Sequence, residues 1–152
     1  MNIGLICKSL LIVAAMTVSG FVFAHSGATG VVKQRMDMMG EIGDSMKIIG
    51  TMIKTGDFNP SAAQDAANAI SSHATSIKEL FPTDSLDKPS EALPQIWTDW
   101  DEFIAIGEQM GVEAEKLAKM AGGSSSVDEI KDQFRRLGQS CRSCHEKFRV
   151  KQ

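Results

Sequence analysis

Cys141-Arg142-Ser143-Cys144-His145, near the end of this 152-residue chain, is the segment from which its architecture can be worked out. Two thiols three positions apart, with a histidine directly after the second, form the attachment pattern of c-type haem. On a helix, residues at i, i+3 and i+4 share one face. Cys141 and Cys144 can therefore each form a thioether to one vinyl group of a single porphyrin, and His145 can bind the iron from that side. The sequence predicts one covalently bound haem c per chain.

A bare Cys-x-x-Cys has two other interpretations, a redox-active pair and half of a zinc site. A thioredoxin-like pair belongs in a βαβ setting, and a zinc site needs further Cys or His residues at ligand spacing. The sequence offers neither context. Its remaining cysteine is Cys7, which lies in a segment that we expect to be removed.

That segment, residues 1–24, has the pattern of a secretory signal peptide. One charge, Lys8, precedes the apolar run Leu10–Met16, and a small-residue cleavage pattern precedes His25. The apolar run is too short and too interrupted to span a bilayer comfortably. We therefore expect cleavage, export to the periplasm without membrane insertion afterwards, and a mature domain of residues 25–152.

The mature chain is long enough for one domain with one core. It carries 15 basic and 19 acidic residues, so it is mildly acidic. No basic footprint for nucleic acid is present, and a nucleic-acid partner is not expected. The sequence shows no catalytic base, nucleophile or substrate pocket, and we do not expect an enzyme.

Four amphipathic helices can be recognised from apolar residues at steps of three and four. They are expected over residues 30–55, 60–80 and 94–120, and from the capping box Ser126-x-x-Glu129 onward. Such helices with mostly short connections predict an all-α, antiparallel up-down four-helix bundle. The two cysteines continue the apolar stripe of the last helix, so the haem should fill part of the core. We expect its site to be lined by these residues: Met39, Phe134, Leu137 and Phe148.

At this point the chain resembles the cytochrome c-prime family, the class II c-type cytochromes, which are four-helix bundles with haem bound near the C-terminus. Three segments carry the resemblance: Arg35–Met39, Ala92–Phe103 and Ser140–Arg149. The resemblance implies that Met39, four positions after Arg35, is the distal residue opposite His145. On the apolar stripe of the first helix Met36 and Met46 are alternative ligands and otherwise core, whereas Met38 is expected to point off the stripe. The resemblance also implies that Arg35 and Arg149 lie at the haem edge or propionates.

Two functions follow from what Met39 does. A thioether bonded to iron implies a six-coordinate, low-spin, mono-haem electron carrier that exchanges electrons with redox partner proteins in the periplasm. In the family that the chain resembles, a distal residue that does not bond leaves five-coordinate, high-spin iron, which is associated with binding of the small gases nitric oxide or carbon monoxide. A peroxidase-like enzyme would need a polar acid–base group on the distal side, and the Met-rich first helix offers none. Some relatives dimerise through their first two helices, and the apolar residues Ile48 and Met52, expected to be exposed there, predict the same interface for a homodimer of this chain.

Overall fold

The computed structural model describes residues 27–123 and 125–151; the expected signal peptide and His25 lie outside the described residues. Pairing of extended segments within those ranges is confined to one isolated bridge between Ala92 and Arg149. The all-α prediction is therefore confirmed. The helices, in chain order, are α1 (Gly30–Thr55), α2 (Pro60–Leu80), α3 (Gln95–Thr98), α4 (Trp100–Ala121) and α5 (Val127–Phe148).

Local signals in the sequence account for most helix ends. At the end of α1, Gly56 adopts φ 76°, a conformation that favours glycine, and its N–H donates to the Met52 carbonyl at 3.0 Å. The Asn59 side chain caps α2 by accepting from the Ala62 N–H, and proline follows at the first helical position. At the start of α5, Ser126 and Glu129 form the expected capping box.

The predicted third helix over residues 94–120 is wrong in one respect, because it is interrupted at Asp99. Asp99 has φ −115° and ψ 39°, outside the helical region, so the short α3 precedes the long α4. The Asp99 carboxylate lies 3.0 Å from the Lys147 ammonium on α5. The Asp99 carbonyl accepts the Phe103 N–H at 3.0 Å and so begins α4, a break that a stripe of apolar residues does not reveal.

The helices pack mainly as α2 on α4, α1 on α2 and α4 on α5, whereas α1 and α5 scarcely touch. Helices α2 and α4 approach closely because small residues face each other; a Cβ on Gly111 would lie 3.1 Å from the Ala74 Cβ. The bundle is therefore tight on one side and open between α1 and α5. Its fully buried large side chains are Ile49, Ile70, Ile96, Leu117, Ile130 and Leu137.

Helix α1 presents two apolar faces. Met38, expected to point off the stripe, is 4% exposed and belongs to the core with Ile42 and Ile49. Met39 and Met46 are only partly buried against that core. The expectation for Met38 was wrong because an apolar stripe near the helical period does not separate two neighbouring faces.

A buried carboxylate joins α4 to α5 outside the apolar core. Glu113 is 6% exposed and accepts a hydrogen bond from the Gln133 side-chain amide at 2.6 Å. The same amide also donates to the Glu113 carbonyl, and Lys116 lies 3.2 Å from the carboxylate. The Gln133 hydrogen bond, with help from Lys116 and Gln109, holds the pKa of Glu113 below its ordinary 4.5 although burial opposes this.

Replacing Glu113 by glutamine should lower the free energy of unfolding by about 1–3 kcal/mol at pH 7, since a buried hydrogen-bonded charge is lost. A depressed carboxyl pKa stabilises the fold above the ordinary value of 4.5, and that contribution disappears as pH falls through the lower folded pKa. The difference between wild type and Glu113→Gln, measured by denaturant unfolding, should therefore shrink below pH 4.5. The exposed Glu115→Gln control should stay within about 0.5 kcal/mol of wild type at every pH.

Candidate functional site

A cavity of about 790 Å³ lies in the open side of the bundle. Its walls are α1 and α5, with α4 behind them and the connection between α2 and α3 at one edge. Cofactor sites are typically clefts of roughly 300–1,000 Å³ lined mostly by apolar side chains. The apolar back of the cavity consists of side chains from the end of α2, from α3 and from α4: Phe81, Ile96, Phe103 and Ile106.

The α5 wall carries the three residues that the sequence singled out. Cys141, Cys144 and His145 all line the cavity, and so does Phe148 one turn later. The two thiols are half-buried, whereas His145 retains solvent exposure at the cavity edge. The sequence placed these residues on one helical face, and the structure brings them to one cavity.

The ionisation of these groups argues against a reactive thiol pair. Burial raises the pKa of the Cys144 thiol to about 11, and the neighbouring Cys141 adds to this; burial also raises the pKa of Cys141. Redox-active cysteines show the opposite shift, because the thiolate is their nucleophile. Burial, followed by the charge of Arg149, lowers the pKa of His145, which favours the neutral imidazole. Within residues 27–123 and 125–151, no group of three His, Cys, Asp or Glu side chains is placed to hold a metal ion.

The α1 wall brings thioether side chains to the same cavity. Met36, Met39 and Met46 line it, together with Gly40 and Gly43. A Cβ on either glycine would meet no atom within 4 Å, so these positions leave open space in the wall. The glycines permit close approach of a flat group to the helix backbone.

The expected lining was only half correct. Met39 and Phe148 line the cavity, but Phe134 and Leu137 do not. Leu137 is fully buried in the packed core, and the Phe134 ring lies against α1, 3.3 Å from the position of a Cβ on Gly50. The cavity therefore begins about one turn later along α5 than the apolar stripe suggested, near Gly138.

Arg35 is a buried part of the cavity wall and not a surface charge. It is 4% exposed and donates to the Ser85 hydroxyl at 3.0 Å, to the Ser85 carbonyl, and to the Ser90 hydroxyl at 3.4 Å. Its guanidinium carbon lies 4.7 Å from the Phe81 ring centroid, in cation–π range. Burial lowers the pKa of Arg35, and the charge of Asp87 opposes the shift. Arginine remains charged in such a site.

Arg149 also lines the cavity and forms an ion pair with Glu91. Its Nε donates to the Glu91 carboxylate at 2.7 Å. The backbone of the two segments pairs as well: Val150 donates to the Glu91 carbonyl at 2.8 Å, and Leu93 to the Phe148 carbonyl at 2.9 Å. No sequence pattern pointed to Glu91, Ser85 or Ser90, because polar residues in a connection are ordinarily solvated.

The residues present fit a covalently held haem. One wall offers two thiols and an imidazole at attachment spacing, and the facing wall offers thioethers and a backbone with open space. The remaining surface is largely apolar, as a porphyrin requires. A helical bundle with such a site is a c-type cytochrome with its haem near the C-terminus.

Comparisons with known proteins agree with this class. The family model described as Cytochrome C' matches residues 30–149. A cytochrome c-556 of Agrobacterium fabrum is 30% identical over 147 residues, which cover 95% of this chain and 99% of that protein. A cytochrome c' of Rhodopseudomonas palustris is 30% identical over 149 residues, covering 89% and 94% respectively. The solved cytochrome c' structure from Rhodopseudomonas palustris superimposes with a TM-score of 0.73 at 28% identity, covering 82% of this chain and 99% of that one.

The chain therefore belongs to the cytochrome c' family, and its cofactor is covalent haem c. The four-helix bundle expected from the sequence is confirmed by the fold and by these structures. Within the described ranges, no helix has the length and apolar character needed to cross a bilayer.

Gly43→Leu should affect the haem-free and haem-loaded chains in opposite directions. Without haem, leucine should stabilise α1 by up to about 1 kcal/mol, because it is the better helix former. With haem, the side chain should overpack the cavity and lower the free energy of unfolding by about 1–3 kcal/mol. Lys47→Leu, one turn further and outside the cavity lining, should show no such reversal in thermal unfolding. Equal effects on both forms of Gly43→Leu would place the haem elsewhere.

Proposed function

We propose that this protein is an exported mono-haem electron carrier with six-coordinate, low-spin iron. Cys141 and Cys144 form the thioethers, and His145 binds the iron as proximal ligand. Met39 is the distal ligand. The observation that carries the proposal is that Met39 and the attachment residues line one cavity from facing helices, with Gly40 and Gly43 beside Met39.

Haem supplies a reversible one-electron couple when bound, and the chain's own residues tune and protect it. A neutral imidazole and a neutral thioether add no charge to the site, and the soft thioether favours the reduced iron. The lowered pKa of His145 supports its role as a neutral ligand.

The apolar lining would keep water away from the bound haem. Phe81, Ile96, Phe103 and Phe148 are all buried and line the site. Edge-to-face packing of Phe103 with Phe81 and Phe148, at centroid distances of 4.8 and 5.3 Å, fixes these rings. A rigid, dry wall limits rearrangement when an electron arrives, which suits a carrier better than a catalyst.

Arg35 and Arg149 complete the proposed site as contacts to the porphyrin edge or its propionates. Both line the cavity, one on each wall, and a guanidinium can donate to a carboxylate in fork geometry.

Residues 1–24 are proposed to act as a signal peptide that exports the domain of residues 25–152 to the periplasm, where redox proteins are its partners. A homodimer through α1 and α2 is part of this proposal, and Ile48 on α1 is 47% exposed. We propose no enzymatic activity.

Covalent attachment can be tested by mass spectrometry. Protein made with the haem-attachment machinery should retain one haem after denaturation, because each thioether is a covalent bond. Cys141→Ala and Cys144→Ala should each keep a single attachment, and the double variant should lose its haem on denaturation. His145→Ala should still allow some attachment but should lose the native spectrum. Ser143→Ala is the control and should match wild type; haem that extracts freely into acid-acetone from wild type would contradict the assignment.

Met39→Ala should convert a low-spin wild-type spectrum to a high-spin one, since removal of the thioether opens the sixth position. Met36→Ala, one turn earlier on the same cavity wall, is the matched control and should leave the spectrum low-spin. The spin state is measured from absorption spectra of the oxidised and reduced forms. A wild type that is already high-spin and binds carbon monoxide readily, with Met39→Ala unchanged, would replace the carrier with the gas-binding function.

A further inference from the structure

The connection between α2 and α3 ties the two cavity walls together. We call residues 85–93 the strap; four of its residues, Pro89, Ser90, Glu91 and Ala92, line the cavity. Direct contacts between α1 and α5 are few, because the cavity separates these helices. The strap is therefore a link between walls that otherwise scarcely meet.

The anchor on α1 is Arg35. Its guanidinium donates three hydrogen bonds to strap oxygens, from Ser85 and Ser90, and its burial at 4% exposure shields those bonds from water. The Ser85 hydroxyl in turn donates to the Pro82 carbonyl at 2.6 Å, which fixes the start of the strap. Hydrogen bonds from a charged donor are stronger than neutral ones and more directional in a buried setting.

The anchor on α5 is the Glu91–Arg149 ion pair, reinforced by backbone pairing. The bridge between Ala92 and Arg149 is flanked by hydrogen bonds from Val150 to Glu91 and from Leu93 to Phe148. This anchor is more exposed than the first, since both side chains retain 42% of their accessible surface.

Both anchors lie one helical turn from a proposed iron ligand. Arg35 precedes Met39 by four positions on α1, and Arg149 follows His145 by four positions, directly after the last residue of α5. The Arg149 N–H also donates to the His145 carbonyl at 3.2 Å. Loss of the strap's contacts with Arg35 or Arg149 should therefore displace these two ligands before other residues of the cavity.

We propose that the strap fixes the separation of α1 from α5 and thereby controls the sixth position of the iron, with Arg35 and Glu91 as its positioning residues. This inference rests on the proposed function in placing the iron between the two walls. It does not require the Met39 sulfur to bond to the iron. If the sulfur bonds, the strap would hold Met39 within reach of the iron. If it does not, the strap would hold Met39 as a barrier over the open sixth position.

The test compares haem-loaded full-length protein with the variants Glu91→Gln and Arg35→Lys. Glu91→Gln removes the ion pair on α5, and Arg35→Lys keeps the charge but loses the fork of donors. The matched controls are Glu146→Gln, which breaks the exposed Arg142 pair on α5, and Asp37→Asn, which breaks the exposed Lys33 pair on α1. Neither control residue lines the cavity.

The first measurement is the association rate of carbon monoxide with the reduced protein. Arg35→Lys should accelerate it by roughly tenfold, the scale of one buried charge-assisted hydrogen bond. Glu91→Gln should accelerate it by roughly three- to fivefold, because its ion pair is half-exposed, while the controls stay within about twofold of wild type. The second measurement is amide hydrogen exchange in residues 36–43, which should become faster in the strap variants alone. Thermal unfolding identifies a general loss of stability.

Unchanged carbon monoxide rates in folded strap variants would overturn the inference, and so would an equal acceleration in Glu146→Gln. A high-spin wild-type spectrum would overturn Met39 ligation only, because the strap variants should still admit carbon monoxide faster. If Arg35→Lys fails to take up haem, the carbon monoxide rates of Glu91→Gln and Ser90→Ala are compared with that of wild type instead.

Discussion

The apolar face of α5 packs in the core over the first half of the helix and lines the cavity over the second half. The separation of α1 from α5 follows from this division. In the first half of the helix Ile130 and Leu137 are fully buried in the core. From Gly138 onward the same face, through Cys141, Cys144 and Phe148, lines the cavity. Because one continuous helix carries both halves, the partner helix α1 packs on the bundle at one end and stands away from α5 at the other. The glycines of α1 that face the cavity lie where that separation is needed.

Most of this arrangement could be predicted from the sequence because its causes are local. The ends of α1, α2 and α5 follow from Gly56, from Asn59 with its proline, and from the capping box at Ser126. The placement of both cysteines and His145 on one face follows from helical geometry alone. The misassignment of Met38 has an equally physical origin: α1 packs one face on the core and another on the cavity, and both are apolar. A pattern of hydrophobicity records that a side chain is buried without recording which neighbour buries it.

The polar partners could not be predicted, because they depend on where distant segments meet. Arg35 and Ser85 are 50 positions apart, Glu91 and Arg149 are 58, and Glu113 and Gln133 are 20. Each of these residues belongs to a type that is usually solvated. Only the tertiary structure shows that Arg35 and Glu113 are buried and that Glu91 faces the cavity. The strap is a largely polar connection in sequence, and its two anchors are what distinguish it from an ordinary surface loop.

The charges around the cavity have a consequence for the redox balance of the proposed carrier. Oxidised haem iron carries one more positive charge than reduced iron, so a low-dielectric lining with neutral ligands favours the reduced state. The buried Arg35 acts in the same direction, because a cation in the wall repels the additional positive charge, and the nearby charge of Asp87 opposes part of this effect. Arg149 contributes less, since the Glu91 carboxylate at 2.7 Å offsets its charge. The two arginines are thus unequal: the one on α1 is buried and held by serine oxygens, and the one on α5 is half-exposed and neutralised. The reduction potential of the haem should therefore change more when Arg35 on the α1 wall, which also carries Met39, is replaced than when Arg149 at the end of α5 is replaced.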